Sequence, residues 1–367
     1  MKSSKRWDIF CKVIDNYGDI GVCWRLSADL ASHGEQVRLW VDDVSALAWM
    51  APGGCAGVDV LTWTTPFKDH DTMPGEVLIE AFGCDIPAEF NAKFAKSSKV
   101  AGSNRYWINL EYLSAEAYAQ RSHGLPSPVM SGPGMGLTKH FFYPGFSTQT
   151  GGLLRETDLL TRQADFKRGD WLQRMGIPFT GEQDERLISL FCYEPPALHD
   201  LLLQLAHSPM PSRLLVTSGR AKNAVLAQIK RENERLLPDP IGNSLSISYL
   251  PPLTQTQFDE LLWACDLNFV RGEDSLVRAI WAGKPFVWQI YPQHDNAHHA
   301  KLNAFLDVIA MPASQREFHH IWNGLKQSHL PDVDLQTWQA GAVASRNRLL
   351  AQSSLTERLM EFVAKTR

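Results

Sequence analysis

No run of about 20 apolar residues occurs in the sequence, so no membrane-spanning helix is expected. Base is not in excess either: 36 Lys and Arg stand against 40 Asp and Glu, a net charge of −4. A nucleic-acid partner usually leaves a basic footprint, so direct nucleic-acid binding is not expected. Cysteine is sparse and scattered: Cys11, Cys23, Cys55, Cys84, Cys192 and Cys265 form no CxxC pair. That pattern reads as reduced, buried thiols in a cytoplasmic protein. Lys2, Lys5 and Arg6 precede an apolar run, but Asp8 and Lys12 interrupt it and no small-residue cleavage site follows, so no signal peptide is expected. Internal repeats and low-complexity tracts are absent too.

What is present is enough apolar material for two cores. With 44% hydrophobic and 21% charged residues over 367 positions, two soluble globular domains are the default. Strand and helix patterns alternate from the start. Trp7 to Ile14 reads as a strand, and Val22, Leu26 and Leu30 mark one face of a helix ending near His33 and Gly34. Val37 to Val41, Val77 to Ala81 and Tyr106 to Leu110 read as further strands. This grammar implies a parallel sheet with helices on both faces. Near "LLRETDLLTRQADFKRGD" the apolar period fades, and a second α/β unit starts with strand Leu187 to Cys192 and a helix near Pro196. Arg213 to Gly219 and the run "LSISYLPPLTQTQFDELLWACDLNFVRGEDSLVRAIWAGKPFVWQIYPQ" continue it. The expected boundaries are 1–152 for the first domain, 153–183 for a linker and 184–344 for the second domain, with a helix at about 345–367 packing back onto the first. Two doubly wound domains of this kind face a cleft where strand ends and switch points meet.

Two stretches carry chemistry. In the second domain, strand "DLNFV" ends at Arg271 and Gly272, and the next helix opens with Glu273, Asp274 and Ser275. Asp274 or Ser275 is a natural N-cap, and Gly283 followed by Pro285 closes the helix. The amides of the first turn, with Ser275 and Arg271, suit a diphosphate, and Arg271 can neutralise charge on a departing nucleotide. Helix capping alone explains Asp274 and Gly283 but leaves Arg-Gly-Glu unexplained. The first domain has "VIDNYGDIGVCWRL", a strand-to-helix turn with Asp15 and Asp19 around Gly18 and Gly21. Two acids are out of place in a phosphate turn. They suit the acceptor side of a displacement, where a carboxylate removes a proton.

Other features have plainer readings. Tyr193 and Phe258 offer rings for a base and Gln255 an amide for its edge, although each alone is more often packing. His294, Asp295, His298 and His299 have metal-like spacing, but no DxD-like tract is placed for a metal-bound diphosphate, and no metal is expected. "SGPGMG" at Ser131 to Gly136 lacks a Walker lysine and reads as a turn. In "NLEYLSAE", Glu111 or Tyr112 either touches a protein acceptor or caps a strand end. Asp42 and Asp43 end the second strand where a dinucleotide enzyme keeps its ribose acid, which makes a nicotinamide-dependent oxidoreductase the chief rival. Against it, "NYGDIG" lacks the first glycine of GxGxxG and places Asp19 where pyrophosphate would approach.

The order "GEDSLVRAIWAGKPFVWQIYPQHDNA" resembles the nucleotide-sugar signature of GT-B glycosyltransferases, with Arg278 in place of the acid those enzymes carry on the third turn. Glu273 is then the acid left for the ribose or the sugar. "DIFCKVIDNYGDIGVCWRL", "NLEYLSAE", "KHFFYPGFSTQTGGLLRE", "SLFCYE" and "FVRGEDSLVRAIWAGKPFVWQIYPQ", in that order from residue 7 to the C-terminus, resemble the EarP family of protein-arginine rhamnosyltransferases. The resemblance implies an α/β, GT-B type fold and an inverting transferase. Its donor would be dTDP-β-L-rhamnose, with no further cofactor, and its acceptor an arginine of elongation factor P. It also implies Asp19 as general base and Glu273 as a second essential acid, with Asp15 helping to hold the cationic acceptor. Asn16, Gly18, Tyr193, Gln255, Arg271, Asp274 and Ser275 would line the donor site, and Phe258, Gly272 and Tyr291 complete that set. A GT-B-fold sugar-nucleotide epimerase shares the second motif and is the other rival.

Overall fold

The computed structural model describes residues 4–14, 17–64, 66–68, 71–178, 185–234, 244–292 and 297–365. The chain divides into two compact units, Met1–Leu159 with Ala351–Arg367, and Leu160–Leu350.

The first unit runs β1 (Arg6–Cys11), α1 (Gly18–Ser32), β2 (Gln36–Val41), α2 (Leu47–Met50), β3 (Val58–Thr62), β4 (Val77–Ala81) and α3 (Ala88–Ser98). It continues with β5 (Tyr106–Leu110), α4 (Ala117–Ser122), β6 (Pro126–Pro128) and β7 (Thr138–Phe142). The sheet order is β3-β2-β1-β4-β5-β7-β6, parallel except for the β6–β7 pair. Side chains alternate across it as the pleat requires. Trp7, Ile9, Cys11, Val77, Ile79, Ala81, Ile108 and Leu110 join one core with Ile20, Cys23, Leu26 and Leu30 of α1. Phe10, Leu78 and Trp107 join the other with Phe90 and Phe94 of α3. Covering both faces removes the strands from water, which is why they read as continuous apolar runs.

The second unit runs α5 (Leu159–Asp165), α6 (Arg168–Arg174), β8 (Arg186–Leu190), α7 (Leu198–Ala206), β9 (Ser212–Val216), α8 (Arg220–Glu234) and β10 (Leu245–Tyr249). Next come α9 (Gln255–Ala264), β11 (Leu267–Arg271), α10 (Gly272–Ala282), β12 (Phe286–Gln289), α11 (Ala297–Val308), α12 (Ala313–Trp322) and α13 (Leu335–Leu350). Its five strands are all parallel, in the order β10-β9-β8-β11-β12. Ile188, Leu190, Leu214, Val216, Phe269 and Val287 face α7, α12 and α13, while Leu187 and Leu215 face α6 and α9.

Residues 153–178 of the stretch expected from its charge to be a linker carry α5 and α6 and add side chains to both cores. Leu154 packs into the first unit, and Trp171, Leu172 and Ile177, spaced among the charges, pack into the second. The chain returns to the first unit at Ala351 rather than near 345, and the helix there is α14 (Leu355–Lys365). Leu355, Leu359 and Val363 of α14 enter the core beside α1. The Leu355 N–H donates to the Leu153 carbonyl at 2.9 Å, and Arg358 donates to the carbonyls of Thr148 and Thr150.

In the first unit the chain winds outward from β1 to β3 and then resumes on β1's other side at β4. In the second it winds from β8 to β10 and resumes at β11. Ligands of open α/β sheets bind at the carboxyl ends of the strands flanking such a reversal. The loops after β1 and β4 in one unit, and after β8 and β11 in the other, are therefore where sites belong.

Candidate active site

The loop after β1 leads into α1, and Asp19 lies in the first turn of that helix, only 3% exposed. Its Oδ2 accepts the N–H of Ile14 at 2.9 Å, and the amide dipoles at the helix start favour its negative charge. Gly18 is the first residue of α1. Asp15 and Asn16 lie outside the described residues. Asp42, the rival ribose acid, accepts the N–H groups of Val13 and Asp43, and Asp43 accepts that of Ser45. Asp42 thus serves the backbone of the same loop that Asp19 bonds through Ile14.

In the second unit Arg271 closes β11. Its N–H donates to Ser275 Oγ at 3.1 Å, its guanidinium donates to the Cys192 carbonyl at 3.1 Å, and Ser275 Oγ donates back to the Arg271 carbonyl. Helix α10 begins at Gly272, whose φ of +67° suits the absence of a side chain, and its N-cap is Arg271. The expected cap at Asp274 or Ser275 is therefore corrected. Ser275 sits a full turn inside the helix and bonds to the carbonyl four residues back, as serines within helices do. Gly283 ends α10 in the left-handed conformation, as expected from its place before Pro285.

The Arg271 guanidinium lies 4.5 Å from the Phe191 ring and 4.6 Å from that of Tyr193. Phe258 meets Phe191 edge-on at 5.3 Å, and Tyr291 meets Tyr193 edge-on at 5.7 Å. Gln255, buried, opens α9 one turn before Phe258, behind a capping box formed by Thr254 and Gln257. Phe258, Arg271, Tyr193 and Tyr291 are thereby joined at the β8–β11 reversal. Burial pushes the Cys192 thiol up to about 12, so this cysteine acts through its carbonyl rather than as a thiolate. Glu273 is ion-paired with Lys301 of α11. Arg278, on the second turn of α10, points inward: Nε and Nη2 bond Asp259 of α9 at 2.8 and 2.9 Å, both side chains being 1% exposed. It braces two helices and so does not replace a ribose ligand.

Two residues of the site were not singled out by motif. Gln289 accepts the Tyr193 N–H at 2.8 Å, and the Trp288 indole donates to the Gly272 carbonyl at 2.7 Å. Both follow from β12 lying beside β11; their only sequence signal is their place in "FVWQIYPQ". His298 is buried with His299 stacked edge-on at 4.2 Å, while His294 and Asp295 lie outside the described residues. Among the described residues no three His, Cys, Asp or Glu are grouped to hold a metal ion. Glu111 accepts from Asn109 Nδ2 at 2.8 Å, and its neighbour Tyr112 stacks on Phe82 at 4.5 Å. Ser131 to Gly136 forms the turn region between β6 and β7.

The family described as Elongation-Factor P (EF-P) rhamnosyltransferase EarP matches residues 7–364. The chain belongs to the EarP family. It is a glycosyltransferase with the GT-B fold. A protein-arginine rhamnosyltransferase of Pseudomonas putida is 46% identical over 82% of this chain and 80% of its own length. Another, from Neisseria meningitidis serogroup B, is 34% identical over 97% and 96%. The solved structure described as the structural basis for EarP-mediated arginine glycosylation of translation elongation factor EF-P is 31% identical, with a TM-score of 0.66, over 99% of this chain and 100% of that one. A calicheamicin glycosyltransferase shares only the fold, at 12% identity and a TM-score of 0.53 over 99% of each chain.

Proposed function

We propose that this EarP chain moves L-rhamnose from dTDP-β-L-rhamnose to the side chain of one arginine of elongation factor P, with inversion at the anomeric carbon. The observation that carries this reading is the chemistry at the two sheet reversals: a buried carboxylate, Asp19, at one, and Arg271 with the α10 amides at the other. A terminal guanidinium nitrogen attacks the anomeric carbon, the bond from that carbon to the dTDP oxygen breaks, and the nitrogen's proton passes to Asp19. The dTDP leaves with its added charge met by Arg271 and the first amides of α10. These supply the positive charge that the leaving group needs, and no metal is called for.

A carboxylate cannot deprotonate a free arginine in the ground state, because the guanidinium is far too weak an acid. Asp19 therefore orients the guanidinium and takes the proton as the nitrogen bonds to carbon, when that proton has become acidic. Asp15 adds a second negative charge for the cation, and Glu273 is the acid on the donor side. Asn16, Gly18, Gln255, Asp274 and Ser275 line the donor, with Tyr193, Phe258 and Tyr291 as its aromatic walls. The names of the relatives support the sugar and the acceptor residue, and the family's description supports the acceptor protein. A translation factor as acceptor also places the reaction in the cytoplasm. The test is to incubate the full chain with dTDP-β-L-rhamnose and elongation factor P and record intact masses. The factor should gain one deoxyhexose, lost when its acceptor arginine is replaced by lysine. An unchanged mass would remove the reading.

A further inference from the structure

Tyr193 follows β8 and is only 2% exposed. Two guanidinium groups cover it: Arg271 at 4.6 Å from the centroid and Arg220 at 4.8 Å. Arg271 comes from the end of β11 and Arg220 from the start of α8, the helix that follows β9; β9 and β11 are the two strands that flank β8. One ring at the sheet reversal thus gathers an arginine from each side. Arg271 is anchored inside, through the Cys192 carbonyl. Arg220 is held from outside by Glu194, with Nε donating to Oε1 at 2.9 Å and Nη2 to Oε2.

The Arg220 and Glu194 side chains are 40% and 58% exposed, and ion pairs in such positions add little to folding. A planar fork that grips a carboxylate with two parallel bonds grips phosphate oxygens in the same way. The arginine beside it already belongs to the proposed diphosphate site. We propose that Arg220 is a second cation for the diphosphate of the donor and that Glu194 occupies its fork until the donor arrives. On binding, phosphate oxygens replace the carboxylate, and Glu194 turns to water. The exchange costs little because the displaced pair is exposed, and it gains because the diphosphate meets two arginines at once. Glu194 also penalises an empty or wrongly charged occupant, since a ligand without phosphate gives no reason to release the fork.

A different role for Arg220, propping the Tyr193 ring against Arg271, predicts the opposite sign in one variant. If Glu194 only steadies the prop, Glu194→Gln loosens it and weakens ligand binding. If Glu194 competes with phosphate, Glu194→Gln removes the competitor and tightens binding. The experiment is calorimetry of dTDP and of thymidine on the full chain, with Arg220→Ala, Arg220→Lys and Glu194→Gln, each first checked for an unchanged melting temperature. Arg220→Ala should weaken dTDP by roughly ten- to a hundredfold, the scale of one charged hydrogen-bond set, and leave thymidine unchanged. Arg220→Lys should fall between, and Glu194→Gln should tighten dTDP several-fold. Unchanged or weaker dTDP binding in Glu194→Gln, or equal losses of dTDP and thymidine in Arg220→Ala, would overturn the proposal. This inference rests on the second unit binding the donor nucleotide. Failure of the unaltered chain to bind dTDP would defeat that reading itself, whereas normal binding with the wrong response in the variants defeats only the role of Arg220.

Discussion

Asp42, just beyond β2, accepts the backbone N–H of Val13 at 2.9 Å. The next N–H, that of Ile14, is taken by Asp19 at 2.9 Å. Two carboxylates therefore fix consecutive amides of the loop that leads into the helix carrying the proposed base. Removing the Asp42 carboxylate frees one end of that loop. We expect Asp42→Ala to lower kcat a few-fold to about tenfold, the effect of one solvent-exposed hydrogen bond to a charged group. Asp42→Asn keeps an oxygen acceptor and should restore most of the loss. An Asn variant as poor as Ala in steady-state kinetics would show that the charge of Asp42, not its bond to Val13, matters.

Asp19→Asn tests the base directly. The amide oxygen of asparagine still accepts the Ile14 N–H, so the loop and the fold are retained while the capacity to take a proton is lost. Transfer should drop by a factor of roughly 10²–10⁴, with dTDP binding intact. Near-normal turnover measured by intact mass would take Asp19 out of the mechanism.

Arg278 and Asp259 give a prediction about stability. Both are fully buried, joined by two bonds, and Arg162 approaches the same carboxylate at 3.4 Å. Arg278→Ala strips two bonds from the buried Asp259 carboxylate and should cost about 3–5 kcal/mol in chemical denaturation. The double variant Arg278→Met with Asp259→Leu, which removes both charges and keeps volume, should recover most of it. A single variant as stable as the unaltered chain would mean that the pair contributes no bracing.

Much of this architecture is legible in the residues, and the exceptions share a cause. Val77–Ala81 and Tyr106–Leu110 are strands as expected, because every residue in them is buried and punctuation flanks each run. The edge strand Val58–Thr62 leaves no such signal, since none of its residues is fully buried and it shows no clean apolar run. The start of α10 was displaced because serine and aspartate signal a cap by type, whereas Ser275 bonds back four residues. The Arg271, Tyr193 and Phe258 cluster is visible as a set of residue types, but its geometry is not. Gln289 reaches Tyr193 across 96 positions of chain, and Arg220 reaches it from the start of α8, the helix that follows β9. Contacts of that kind depend on strand order, which no local pattern encodes.

The last prediction follows from His319, which is fully buried behind the donor site. Its Nε2 accepts the Trp288 N–H at 3.0 Å and its Nδ1 donates to the Gln315 carbonyl at 2.8 Å, so the ring is neutral with its proton on Nδ1. Burial lowers its pKa from 6.5 to about 4. A group depressed in the folded state binds more protons when unfolded, and its contribution to stability is complete only above the unfolded value. That contribution is lost progressively as the pH falls from 6.5 through about 4, and across the whole window it amounts to on the order of 3 kcal/mol. Protonation would also set an N–H against the Trp288 N–H, on the residue whose indole holds the Gly272 carbonyl. Loosening in the acid window should therefore reach the start of α10 and weaken dTDP binding before global unfolding. His319→Gln removes the titrating group: the stability gap between this variant and the unaltered chain should narrow as the pH is lowered through that window. Denaturation midpoints taken at half-unit steps of pH give the gap directly. A gap that stays constant would mean that the imidazole contributes packing alone and that acid sensitivity arises elsewhere, with His123, also lowered to about 4 by burial, as the next group to replace.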